Sequence, residues 1–421
     1  MYELHPPHVF VHRRVYANPQ AVARLERMLD ALGNPPVDEV DEGDTDRVIE
    51  LTEPPEAAEA ANGKVRHGPE RAAAEPSMLF NTFVWDPGAR APLAEGRHTG
   101  LFSQPIARLM AGVGEDFAFS RREGIWGAPP EEWVCQGGWG IHSLKGCVHR
   151  CHYCHEGYCV NFMLDLEDFA DHVLAMMERR PEQKVYRYDL YSDSICFEPE
   201  YGASRVLADA YARTNDKYLL FYTKSANVQH LCDLPDKSHC IFYLTLAAET
   251  VCREIEEGTP SMTERIEALR KCQEAGFPVR VGFSPIIPTR NWRAEATDCL
   301  EQLFAAVEPD TVRLWALSIM PPDEVDALIG YENLEPRFVE SLKAVDPAGQ
   351  HSFALPFSVD DRVEIYGHYI DEITRLSPDT PLSLCSERRV VWERLAPKLR
   401  MSPDSLYCCC GGFSPPRARP G

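Results

Sequence analysis

No run of this chain approaches the roughly eighteen consecutive apolar residues a membrane-spanning helix requires. Its opening segment, "MYELHPPHVFVHRR", lacks the charged-then-apolar order of a secretory signal, so a cytoplasmic location with no membrane partner is expected. Basic residues are in short supply: 43 Lys and Arg face 65 Asp and Glu, a formal charge of −22. A surface of that sign repels polyanions on average, which weighs against long nucleic acid as substrate and favours a small molecule. No internal repeat is visible. With 44% hydrophobic and 26% charged residues over 421 positions, composition supports a sizeable core.

Cysteine is plentiful, at fifteen residues. In a reducing compartment such thiols stay reduced, so a tight cluster of them speaks for metal or redox chemistry instead of a disulfide frame.

The chain divides by composition. Residues 1–52 read as a small α/β segment, with "HVFVHRR" extended and "PQAVARLERMLDALG" helical, closed by Gly33. Residues 53–78 have almost no large apolar side chains and are expected to be a flexible insertion. Residues 79–139 are aromatic but rich in Gly and Pro, an irregular region packing on the core. From 140 to 345, six short apolar runs ("WGIHSLK", "KVYRYDLY", "KYLLFYTK", "CIFYLTLA", "PVRVGFSP", "TVRLWALSI") alternate with amphipathic helical stretches. That alternation predicts an α/β fold with a parallel sheet, too few units for a closed eightfold barrel but enough for a partial, TIM-like (βα)6 one. Residues 346–421 form a C-terminal extension with a cysteine-rich tail. In such barrels the active site is built at the C-terminal ends of the strands.

Directly after the first strand comes "GCVHRCHYCHEGYC", in which Cys147, Cys151 and Cys154 follow C-x3-C-x2-C spacing with Tyr153 before the third thiol. Three thiolates on one short loop can face one point and leave a fourth corner open. An iron-sulfur cluster with a vacant iron fits that count; closed structural zinc would need a fourth ligand from Cys159, His149, His152 or His155.

This pattern, after strand one of a sixfold α/β unit, resembles the radical S-adenosylmethionine superfamily. Within it, "YSDSICFEPEYG", "YTKSANV", "EEGTPSMTERIEALRKCQEAGFPVRVGFSPIIPTRNW" and "HPPHVFVHRRVYANP" resemble the spore photoproduct lyase family over most of the chain outside residues 53–139. The resemblance implies a 4Fe-4S cluster on Cys147, Cys151 and Cys154. It implies S-adenosylmethionine held by Tyr153, Ser192, Asp193, Lys224, Thr245 and Ser284, and an electron donor such as flavodoxin or ferredoxin. Reductive cleavage of the sulfonium would then give a 5'-deoxyadenosyl radical that abstracts hydrogen from the substrate. Two family positions differ here. Leu190 stands where the lyases carry a hydrogen-donating cysteine, and His155 where they carry a tyrosine. Cys196 is the nearby thiol that could substitute, and His155 could hydrogen-bond cofactor or substrate. These departures point to a small-molecule substrate such as a nucleoside or sugar, with a repair lyase acting on DNA as the alternative and a non-catalytic metal or metalloid sensor as the rival.

In the tail, "LYCCCGGF" carries Cys408, Cys409 and Cys410, with Cys385 upstream in "LSLCSERR". Adjacent residues of an extended chain alternate in direction, so Cys408 and Cys410 can share a face while Cys409 points away. Three roles stay open: Cys385, Cys408 and Cys410 as ligands of an auxiliary iron-sulfur cluster, a thiol such as Cys409 as hydrogen or sulfur donor, and capture of a thiophilic ion. The remaining cysteines, Cys135 among them, read as packing residues.

Overall fold

The structure, a computed structural model, describes residues 1–52, 75–90, 103–113, 115–122, 132–156, 159–344 and 356–418. Most of the insertion expected at 53–78 therefore lies outside the described residues, although Ser77 and Met78 open a strand. In chain order the strands are β1 (Val9–His12), β2 (Asp38–Val40), β3 (Ser77–Asn81), β4 (Phe119–Arg122), β5 (Trp133–Val134), β6 (Gly138–Ile141), β7 (Leu144–Lys145), β8 (Arg150–Cys151) and β9 (Cys159–Met163). They continue with β10 (Val185–Tyr188), β11 (Tyr218–Thr223), β12 (Cys240–Leu246), β13 (Glu256–Glu257), β14 (Val279–Ile286), β15 (Thr311–Ala316), β16 (Leu382–Leu384) and β17 (Glu387–Arg388).

The six apolar runs contribute β6, β10, β11, β12, β14 and β15, which lie side by side in that order and run parallel. Helices cross over between them, among them Leu166–Glu178, Ala203–Tyr211, Met262–Glu274 and Trp292–Ala306. Burial explains the strand sequences: all seven residues of β12 are buried, because parallel strands are covered on both faces and so read as continuous apolar runs. The helix Met262–Glu274 starts where its sequence says it should. Ser261 accepts from the Glu264 N–H while the Glu264 carboxylate accepts from the Ser261 N–H, and Gly276 follows its end in the left-handed region. The structure adds two strands to the expected six. β16 extends the parallel set beyond β15, and β4 pairs antiparallel with β6 at the other edge, leaving a partial TIM-like barrel.

A second sheet, in the order β2-β1-β3-β9-β7, joins the N-terminal strands to residues directly after the cysteine loop. Phe80 and Phe162 stack at 5.0 Å within it. The region 159–163 thus belongs structurally with the N-terminal segment, and the cysteine loop hangs between the two sheets.

Inside the barrel, side chains two residues apart on a strand form successive layers. Val185, Leu220, Ile241 and Cys409 make the lowest. Above them Tyr222 and Tyr243 stack at 4.5 Å, with the Arg313 guanidinium 5.1 Å from the Tyr243 ring centre. The Tyr243 hydroxyl lies 1.6 Å from where a Cβ of residue 282 would sit, so only glycine at 282 lets this ring occupy the barrel. One step further along the strands stand Lys224, Thr245 and Ser284.

Candidate functional site

The loop bearing Cys147, Cys151 and Cys154 starts at a position that demands glycine. Gly146 has φ +93°, and a Cβ there would lie 2.0 Å from the Cys159 carbonyl oxygen. Its N–H donates to the Tyr191 carbonyl at 3.0 Å, tying the loop to the end of β10. Then β8 pairs antiparallel with β13, placing Cys151 opposite Glu256 and Arg150 opposite Glu257. The His152 N–H donates to Ile255 and the Cys154 N–H turns back to Cys151, each at 2.9 Å. The three thiols are therefore carried by a hairpin stitched to the segment after β12, and not by a loose loop.

Two buried carboxylates organise what surrounds them. Glu256, fully buried, receives Lys224 Nζ at 2.9 Å, Arg265 Nη2 at 2.7 Å and the Tyr153 hydroxyl. Burial alone would push its carboxyl up, but Lys224 and Arg265 outweigh it and hold the group at about 2. Asp193 accepts from Thr223 Oγ1 at 2.6 Å and from the Lys224 N–H at 2.7 Å, and pairs with His149 Nε2 at 2.9 Å. Its burial also opposes charge, and these partners lower its pKa nonetheless. His149 reaches the Gly258 carbonyl with its other nitrogen at 2.9 Å, so one ring from inside the cysteine loop clamps β10 to the segment after β13.

Against this saturated framework, two hydroxyls stand out. Ser192 Oγ and Thr245 Oγ1 are buried with no hydrogen-bond partner, a condition that costs about 1–3 kcal/mol unless a ligand relieves it. They stand at the ends of β10 and β12. Lys224 sits between them in the strand order, its Nζ also 3.3 Å from the Ser284 carbonyl. Burial pushes the Cys147 and Cys151 thiols up, so they hold their protons until a metal centre displaces them. Among the described residues the trio of ligand atoms gathered within 4.8 Å of one another, the spacing a single ion needs, is His149, Asp193 and Cys196, whose carboxylate is already fully engaged. The loop thiols are spaced for something larger than one ion. Donor set and orphaned hydroxyls together fit an iron-sulfur cluster with an open corner and a polar small molecule beside it.

The residues singled out in the sequence thus fall into two places. Cys147, Cys151, Cys154, Tyr153, His155, Ser192, Asp193, Lys224, Thr245 and Ser284 all belong to the C-terminal end of the barrel or the loop attached there. Within this group Asp193 departs from its expected role. Its oxygens are taken up by protein donors, so it supports the site instead of presenting a free acceptor. Cys196 is fully buried, its Sγ 3.4 Å from His149 Nε2 behind the loop, which does not suit a thiol meant to reach a substrate. His155 lies 3.5 Å from Glu156. Cys408, Cys409 and Cys410 lie at the opposite end of the barrel, and Cys385 follows the last residue of β16, its N–H donating to the Leu314 carbonyl at 2.8 Å. Cys409 is packed against Thr311 and Val281 carbonyls at 3.3 and 3.4 Å, which removes it from the substrate side. Sequence reasoning missed Glu256 and named His149 only as a possible zinc ligand, not as the clamp on Asp193. Both lie within stretches quoted above, but nothing in a sequence shows that Glu256 faces Lys224.

Comparison with known proteins places this geometry. Residues 138–319, from β6 through the segment after β15, match the family model described as spore photoproduct lyase. The curated spore photoproduct lyase of Bacillus subtilis (strain 168) is 25% identical over 239 residues, 55% of this chain and 66% of that protein. The lyase of Clostridium acetobutylicum is 23% identical over 166 residues, 38% of this chain and 49% of that protein. The chain thus spans about half to just under two thirds of the curated relatives it matches. Among solved structures, a spore photoproduct lyase variant with bound AdoMet and dinucleoside spore photoproduct superposes with TM-score 0.61 at 15% identity, over 91% of this chain and 99% of that one. Another, complexed with dinucleoside spore photoproduct, gives TM-score 0.60 at 15% identity over 90% and 98%. At that identity the likeness speaks for the fold.

Proposed function

For this chain, a spore photoproduct lyase-like radical S-adenosylmethionine protein, we propose an enzyme that carries a 4Fe-4S cluster on Cys147, Cys151 and Cys154. It would act in the manner of the repair lyases, on a pyrimidine lesion of the dinucleotide type. The observation that carries the proposal is the pairing of a three-thiol hairpin with two buried, unpartnered hydroxyls at the adjacent strand ends. When bound, the cluster and S-adenosylmethionine supply one-electron cleavage of a sulfonium and so a carbon-centred radical.

The chain's own residues do the rest. Lys224, fixed by Glu256, presents an ammonium to a carboxylate while Ser192 and Thr245 offer hydroxyls to amino or ribose groups. Tyr153 is anchored through its hydroxyl to Glu256, with Lys224 Nζ 5.9 Å from its ring centre. The β8–β13 pairing and the His149 clamp keep the loop rigid, which preserves reacting geometry. From the N-terminus, the Tyr2 ring packs edge-on against His149 at 6.0 Å.

The charge-based preference for a small nucleoside or sugar gives way to this reading, because the relatives in hand are spore photoproduct lyases, one of them solved with a dinucleoside spore photoproduct. The departure at Leu190 remains, and with Cys196 buried no thiol stands ready at that position to return a hydrogen atom. The test is anaerobic incubation of reconstituted, reduced protein with S-adenosylmethionine and a dinucleoside spore photoproduct. Release of thymidine units with 5'-deoxyadenosine chemistry supports the proposal. Uncoupled 5'-deoxyadenosine formation with the lesion intact would leave the cofactor assignment standing and remove the substrate.

A further inference from the structure

At the other end of the barrel, the tail forms a floor. The Gly412 carbonyl accepts from the N–H groups of Lys184 and Val185 at 2.7 and 3.0 Å, and its N–H donates to Gly137 at 3.0 Å. Cys409 fills the lowest layer of the lumen above it. The interior is therefore closed below, and whatever enters it comes from the end that carries the cysteine loop.

Within that lumen the cations are the telling feature. Six arginines are buried: Arg24, Arg187, Arg265, Arg280, Arg313 and Arg362. Four have a carboxylate partner, respectively Glu167, Glu256, Asp310 and Glu387 for Arg24, Arg265, Arg280 and Arg362. Among the described residues, Arg187 and Arg313 have none. Both face inward, since directly opposed residues share one face of a sheet: Arg187 stands opposite Leu220, and Arg313 opposite Gly282 and Ser383. Arg187 donates to the Gly138 carbonyl at 2.6 Å. Arg313 Nη2 donates to the Tyr222 hydroxyl at 3.0 Å and its Nη1 lies 3.4 Å from Cys410 Sγ. A buried charge with no partner of opposite sign is among the costliest features a core can hold.

The row that contains Arg313 is also where buried donors go unused. Thr245, Gly282, Arg313 and Ser383 lie side by side across β12, β14, β15 and β16. Because residue 282 has no side chain, the Tyr243 hydroxyl takes that place in the row. The Tyr243 hydroxyl, Arg313 Nε and Ser383 Oγ are buried without a hydrogen-bond partner, and so is Nε1 of Trp315, the next inward residue of β15. Guanidinium and indole N–H groups only donate, and both hydroxyls can donate as well. Four donors, one of them charged, with no carboxylate among them, fit an oxyanion. We propose that Tyr243, Arg313, Trp315 and Ser383 form a subsite for an oxyanion of the phosphate class, beside the cofactor position marked by Thr245, with Arg187 adding a second positive charge from β10. This deepens the reading of the substrate as a pyrimidine lesion of the dinucleotide type, and rests on that reading for the source of the phosphate.

Calorimetric titration of the full chain, purified anaerobically, tests this with thymidine 5'-monophosphate, inorganic phosphate and, as the uncharged control, thymidine. The monophosphate is expected to bind tighter than thymidine by about tenfold or more, the range of hydrogen bonds to a charged group. Ser383→Ala deletes a hydroxyl that bonds nothing in the protein, so the chain should fold as before while the monophosphate weakens by about fivefold and thymidine does not change. Arg313→Gln should erase the preference for the phosphate. Competition by inorganic phosphate shows that the subsite also takes the free ion; without competition it takes only phosphate carried by a nucleotide. No binding of the monophosphate, affinity equal to that of thymidine, or a preference untouched by both substitutions overturns the proposal. The titration needs neither cluster nor S-adenosylmethionine, so failure of lesion turnover with the phosphate preference intact would remove the catalytic reading alone.

Discussion

The barrel carries thiols at both ends, and the two groups keep opposite company. At the C-terminal ends of the strands, Cys147, Cys151 and Cys154 sit on a hairpin braced by buried carboxylates, Glu256 and Asp193, and adjoin hydroxyls that lack partners. In the tail, Cys408 and Cys410 are buried below the barrel with Cys410 Sγ 3.4 Å from the Arg313 guanidinium, and Cys385 follows the last residue of β16. Three thiols beside unfilled polar positions make an open site, suited to a cofactor that must exchange. A thiol packed against a buried guanidinium belongs to the framework. The difference teaches that cysteine spacing alone does not tell chemistry from architecture; the charges around the sulfur do.

The comparison breaks first at the loop. Cys154→Ala should abolish cluster incorporation and bring 5'-deoxyadenosine formation down to the level seen without protein, measured by iron content and chromatography. Next in size is Glu256→Gln, which keeps the shape but strands Lys224 and Arg265. Breaking a buried pair costs about 3–5 kcal/mol, so the melting temperature should fall sharply and S-adenosylmethionine binding with it. The same carboxylate sets an acid limit. Its pKa is held from 4.5 down to about 2 in the folded chain, so its contribution is whole above 4.5 and disappears as pH falls through that interval. Acid unfolding curves should show this window in the wild type and not in Glu256→Gln.

At the other end, Arg313→Gln removes a buried guanidinium that reaches Cys410 Sγ at 3.4 Å and the Tyr222 hydroxyl at 3.0 Å, so the melting temperature should fall. It should leave the loop's iron unchanged. The smallest effect sharpens the contrast most. Thr245→Val deletes a hydroxyl that bonds nothing in the protein, so stability should hold or rise slightly. S-adenosylmethionine affinity should drop by about 1 kcal/mol, roughly fivefold, by equilibrium binding. Equal losses of stability and affinity would mean the hydroxyl is part of the framework after all.

Much of the barrel is legible in the sequence, because its strands are buried on both faces and its helices announce themselves by capping. The runs at 240–246 and 279–286 and the Ser261 cap are clear instances. The strand Leu382–Leu384 is not, being three residues long and defined only by its pairing with β15. Nor is the transfer of Cys159–Met163 into the N-terminal sheet, where the partner strand lies about eighty residues away in sequence. The loop thiols are readable because they are local. Glu256 opposite Cys151 and Arg313 beside Cys410 are not, because tertiary pairing alone brings them together. Burial, likewise invisible in one sequence, is what separates Cys196 and Cys409 from substrate chemistry.

The central claim is that the loop holds a cluster with one corner open to S-adenosylmethionine. Electron paramagnetic resonance of the reconstituted, reduced protein tests it directly: adding S-adenosylmethionine should shift the cluster's signal, and an unchanged spectrum at saturating cofactor would contradict the account.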